Sequence, residues 1–229
     1  GYVDGMSVTP LINGSLAASV SSNALTVALK TAAGATPSST DPVRVTFRNS
    51  TDADGSLVTR TVTSSTSLTF ASGSSLGMSN GVIARIWVGL IDNSGTVEVC
   101  AWNPLSGVNL KAFSPNVDVT TTAEGSGTAT SAHTLYSTNA RSTVPFILLG
   151  FIEATEATAG VWATAPSVVQ TYREGMRKTG DLVQVQRTVS GALASGTTVL
   201  PLDNTTPQNT EGDQYFSQAI TFTSVANLA

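Results

Sequence analysis

The residue types that could do chemistry here are carboxylates: Glu153 with Glu156, and Asp203 with Glu211 and Asp213. Cleavage of a glycosidic bond needs two carboxyl groups a few ångströms apart, one to protonate the leaving oxygen and one to stabilise or attack the sugar. Glu153 and Glu156 close the run "FILLGFIEATE" and read equally as a solvated strand end entering a loop. Asp203, Glu211 and Asp213 sit in "PLDNTTPQNTEGDQYF", whose spacing fits no calcium loop and reads as turn chemistry. The sequence contains no Gly-x-Ser-x-Gly elbow, no paired-histidine metal motif and no phosphate-binding loop. The expectation is therefore a protein that is not an enzyme, with no catalytic residues, no metal and no cofactor.

Cys100 is the single cysteine and His133 the single histidine. One cysteine makes no intrachain disulfide, and a lone cysteine in an apolar run reads as a small buried side chain. His133 lies in a Ser/Ala/Thr segment with no surrounding motif, so the two are not expected to pair. Three tryptophans, Trp87, Trp102 and Trp162, could stack on sugar rings or pack in a core or between subunits. Arg85, placed opposite Trp102 by the expected hairpin register, could add a cation–π contact. Trp87, Trp102 and Arg85 are thus the candidate binding residues.

The elements that must position these residues read as β throughout. Leu25, Val27 and Leu29 alternate with polar positions, as do Val43, Val45 and Phe47 against Arg44, Thr46 and Arg48. In "VIARIWVGLIDNSGTVEVCAW" (82–102) two strands flank Asp92-Asn93-Ser94-Gly95, read as a four-residue turn. With Ile91 opposite Thr96, one face holds Ile86, Val88, Leu90, Val97, Val99 and Ala101, all apolar. The other carries Arg85, Trp87, Gly89, Glu98, Cys100 and Trp102, too aromatic for plain solvent surface. Either another part of the fold covers it or a partner subunit does. Residues 146–153 are apolar on both faces, which marks a central strand, while "TTTAEGSGTATSAHT" (120–134) reads as a surface loop.

Composition bounds the function class. Apolar residues make up 41% of the 229, enough for a sizeable core, but charged residues only 11%. That is well under the roughly 25% of ordinary soluble domains, and Ser and Thr supply about a quarter of the chain instead. The net charge of −4 leaves no basic patch for phosphate neutralisation, so nucleic acid is not an expected partner. No apolar run is long enough to insert in a bilayer as a helix. The charge-dense stretch 173–181 predicts a boundary between a β-rich module at 1–175 and a linker with the first strands of a second module at 176–229. The chain reads as a piece of a longer polypeptide.

Two regions resemble bacteriophage tail-fibre and virion appendage proteins. The first runs through roughly 24–172 and includes "SLTFASGSSLGMSNGVIARIWVGLIDNSGTVEV" and "VPFILLGFIEATEATAGVWATAPSVVQ". The second, "GALASGTTVLPLDNTTPQNTEGDQYFSQAITFTSVANL" (191–228), is similar to the start of fibre head domains with a jelly-roll shape akin to C1q and tumour necrosis factor. The resemblance implies an all-β, antiparallel sandwich or barrel-like module, trimeric, followed by the start of a second β module. It further implies a homotrimeric structural protein of the virion, assembled in the bacterial host cytoplasm. Its partners would be other virion proteins and a host surface glycan or receptor. A carbohydrate-binding module is the alternative, and a glycan depolymerase a more distant one.

Overall fold

A computed structural model describes residues 11–50, 56–104 and 118–172. The chain divides between Glu174 and Gly175, and every described residue belongs to the first unit. The expected second module at 176–229, with Asp203, Glu211 and Asp213, lies outside the described residues, as does the charge-dense stretch 173–181.

The described residues are all-β, built from twelve strands. They are β1 (Leu11–Ile12), β2 (Gly14–Ser21), β3 (Ala24–Thr31), β4 (Val43–Arg48), β5 (Leu57–Val62), β6 (Thr66–Phe70), β7 (Ala84–Asn93), β8 (Thr96–Trp102), β9 (Asp118–Ala123), β10 (Tyr136–Ser137), β11 (Arg141–Ala154) and β12 (Val168–Thr171). Three-stranded sheets β1-β4-β5 and β2-β3-β6 pack beside a larger sheet ordered β12-β11-β7-β8-β10-β9. Because β11 also pairs with β9, five strands of the large sheet close into a barrel. All its pairings are antiparallel except β9 with β10.

Strand β11 makes this closure possible. Its first half pairs with β9 (Val144↔Val119), and its second half gives the same edge to β12 (Ile152↔Val169). The change of partner, between Pro145 and Gly150, spans a register break between Leu148 and Gly150, and an earlier break lies within the β9 pairing between Arg141 and Val144. Thr143 sits at φ 54° inside the first break, a costly conformation for a β-branched residue and a mark of a sharp local bend. The apolar run 146–152 is central, as its two-sided hydrophobicity predicts.

The hairpin β7–β8 corrects the expected register. Asn93 pairs with Thr96, Leu90 with Val99, Val88 with Ala101 and Trp87 with Trp102. The turn is the two-residue Ser94-Gly95, both at positive φ, rather than the four residues 92–95. Such a turn matches the right-handed twist of the strands, and the Asp92 carboxylate secures it by accepting the Gly95 N–H at 2.8 Å. The slip is two residues, so every side chain keeps its expected face. Arg85 is no longer opposite Trp102.

Those two faces feed two cores. The first gathers Leu25, Val27, Leu29, Val43, Val45, Phe47 and Phe70 of the small sheets against Ile86, Val88, Leu90, Val97 and Val99 on the outside of the barrel. The second fills the barrel with Trp87, Ile91, Cys100, Trp102, Val119, Val144 and Phe146, and Phe151 and Tyr172 pack against it. The aromatic face of the hairpin is therefore covered by the chain's own strands.

Candidate functional site

Three connecting segments meet against one another: 71–83 between β6 and β7, 124–135 between β9 and β10, and 155–167 between β11 and β12. Their backbones touch through glycines. The Gly73 N–H donates to the Gly160 oxygen at 2.7 Å, and a Cβ on Gly160, which sits at φ 85°, would fall 2.9 Å from the Gly73 oxygen. A Cβ on Gly127 would meet the Ser72 oxygen at 2.4 Å. Only glycine permits so close an approach. Asn103 donates from Nδ2 to the Leu76 oxygen at 3.0 Å, and Trp162 donates from Nε1 to the Ser74 oxygen at 3.0 Å.

Two buried carboxyl groups anchor this junction. Glu124, 6% exposed, accepts at Oε1 from the Ala71 N–H (2.9 Å), the Ser74 hydroxyl (2.6 Å) and the Gly127 N–H (3.0 Å). Its Oε2 accepts from the Ser126 N–H at 2.7 Å. Burial alone pushes such a carboxyl up. The donors from Ser74, Ala71, Gly127 and Ser126 outweigh it, holding Glu124 below its ordinary value and ionised.

Glu156, 2% exposed, is served differently. Its Oε2 accepts one N–H, from Gly160 at 2.5 Å, and Oε1 has no partner. Burial, only partly offset by the Gly160 amide, pushes Glu156 up to about 7. The expectation of a solvated strand end is thus wrong for Glu156. The 155–163 segment folds back over it, the Gly81 N–H donating to the Glu156 main-chain oxygen at 2.7 Å and the Ala159 N–H to Asn80 Oδ1 at 2.7 Å.

Glu153 does not join Glu156. It accepts from Arg85 Nε at 2.9 Å and also from Arg85 Nη2, and Arg85 lies 4.3 Å over the Phe151 ring rather than against Trp102. Trp87 and Trp102 stack with ring centroids 6.3 Å apart inside the barrel, at 0% and 3% exposure. Neither indole face is open to a sugar. Trp162 is 1% exposed within the first core. Cys100 is fully buried in the second, where burial drives its thiol well above the usual range, and His133 is exposed on a turn at φ 59°. Among the described residues, no three His, Cys, Asp or Glu side chains gather as a metal site. Those residues contain no helix long and apolar enough to cross a membrane.

No family model matches the sequence, and it matches no curated protein and no solved structure.

An open groove of about 410 Å³ runs beside Glu124, between β6 and the end of β9. Ser67, Thr69, Ser126 and Thr138 line it with hydroxyls, and the Glu124 loop forms its wall. Sequence reasoning missed this surface because its ingredients are ordinary Ser/Thr text from three separate segments.

Proposed function

We propose that the chain is a structural module of a bacteriophage tail fibre or virion appendage, working as a homotrimer in host attachment. The observation that carries this reading is how the module is finished. Both cores are filled from within the chain, the barrel closes its own sheet, and threonine pairs join neighbouring strands beside a few ion pairs such as Arg85 with Glu153. Thr26 meets Thr69 at 2.9 Å across β3–β6, and Thr46 meets Thr59 at 3.0 Å across β4–β5. A closed, charge-poor, hydroxyl-covered β module suits a rigid external part, and the fibre-like strings at 24–172 and 191–228 agree with it. Among the described residues, five large apolar side chains, Ile12, Leu57, Val82, Ile83 and Val169, stay 40–51% exposed and offer surface for other copies or virion proteins. Immunogold electron microscopy of the virion that encodes this chain tests the assignment. Label on an appendage supports it, and label absent from intact particles overturns it.

The groove favours a second reading, a carbohydrate-binding module. Its volume falls within the range of about 300–1,000 Å³ common for small-ligand sites, and the hydroxyls of Ser67, Thr69, Ser126 and Thr138 suit a polyhydroxylated ligand. A glycan array on the purified chain decides between them. Binding abolished by Thr138→Arg would favour the groove, and an array blank at millimolar sugar would remove this reading.

A further inference from the structure

The junction of segments 71–83 and 155–163 contains a carboxyl group arranged unlike its neighbour. Glu124 brings four donors to a carboxylate and is built to be charged. Glu156 is at least as deeply buried, yet it has one donor and an oxygen with none. A neutral carboxylic acid tolerates that environment, whereas an anion there lacks both solvent and compensating charge.

Among the described residues, no cation is paired with Glu156. Segment 71–84 contains no ionisable side chain, and within 154–171 Glu156 is the only one. The turn Ser22-Asn23, whose Asn23 oxygen takes the Trp162 N–H at 3.3 Å, is likewise uncharged. Of the charged groups bordering these segments, Arg85 and Glu153 satisfy each other, and Glu124 is occupied by Ala71, Ser74, Gly127 and Ser126. The contacts that Glu156 supports are few and local: Gly81 N–H to its own oxygen, Ala159 N–H to Asn80, and Gly73 N–H to the Gly160 oxygen.

We propose that Glu156 is a proton-operated latch, which holds segment 155–163 against segment 71–83 while its carboxyl is neutral and loosens that contact when it ionises. Loosening admits water to Oε1 and frees the stretch that carries the exposed Val82 and Ile83, whereas the barrel and both cores stay shut. The sign follows from the raised position of the group. With a folded value of about 7 against an ordinary 4.5, the closed form is favoured in mild acid and loses its advantage as pH rises through neutrality.

Hydrogen exchange on the full chain, followed by mass spectrometry and corrected for intrinsic rates, reads this directly. Between pH 5.5 and 8.5, protection in peptides spanning 71–83 and 155–163 should fall about tenfold or more, while β7 and β11 keep theirs. Glu156→Gln should abolish the difference. Equal protection at both pH values, or the same loss in Glu156→Gln, overturns the latch. Should that variant fail to fold, carbon-13 NMR of the wild-type carboxyl decides. A Glu156 midpoint above about 6, with the Gly160 and Gly81 amides titrating alongside it, sustains the proposal, and a midpoint below about 5 ends it.

Discussion

Glu124 takes the Ala71 amide and the Ser74 hydroxyl at one end of segment 71–83, and the Glu156 main-chain oxygen takes the Gly81 amide at the other. Two buried glutamates thus brace one loop and respond to pH in opposite senses. The lowered Glu124 contributes stability that is present above the ordinary carboxylate range and lost as pH falls through its folded value. The raised Glu156 contributes stability that is full below about 4.5 and lost as pH rises through about 7. The loop is best held in mild acid.

Glu124→Gln should destabilise the fold by about 2–4 kcal/mol, because it removes a charge serving four donors and turns an amide NH₂ toward one of them. Urea unfolding at pH 6 measures it. A loss under about 0.5 kcal/mol would mean that the junction does not depend on this carboxylate.

Glu156→Gln should behave in the reverse way. The folded and ordinary values of this group imply a wild-type penalty of roughly 3 kcal/mol once pH exceeds 7. The variant should therefore gain on the wild type by a few kcal/mol between pH 4.5 and 8 in chemical unfolding. A difference that stays constant with pH would contradict the raised value.

Gly89 lies under the Phe146 ring, where an added Cβ would fall 2.1 Å from Cε2. Gly89→Ala should cost about 1–3 kcal/mol by overpacking the barrel, and Phe146→Leu in the same chain should recover part of it. Additive losses in the double-mutant cycle would show that the two positions do not compete for space.

Much of the fold was legible in the sequence. Period-two alternation placed Leu25, Val27, Leu29, Val43, Val45 and Phe47 inside, and the two-sided apolar run placed β11 at the centre of its sheet. The β7–β8 register slipped by two because "DNSG" permits either a four- or a two-residue turn, and both keep the apolar residues on one face. A sandwich or barrel was expected from the short alternating strands, but the closure through β9 was not legible, since its "DVTTTA" carries little hydrophobic signal and its partner β11 is distant in sequence. The burial of Glu124 and of Glu156 was hidden for a related reason. A loop carboxylate is normally solvated, and here backbone donors as far away as Ala71, 53 residues from Glu124, bury it.

Trp102→Ala should lower stability by about 3–5 kcal/mol, because it opens a cavity in the barrel core, yet leave the oligomer unchanged in number of copies. Light scattering under conditions where the variant remains folded checks this. A drop in mass there would place part of the Trp87–Trp102 face in a subunit contact.

The proposed trimeric appendage module is tested most directly by the mass of the full chain in solution. Size-exclusion chromatography with multi-angle light scattering at micromolar concentration should return about 70 kDa, three copies of the 23.4 kDa chain. A stable species at the mass of a single copy would contradict it.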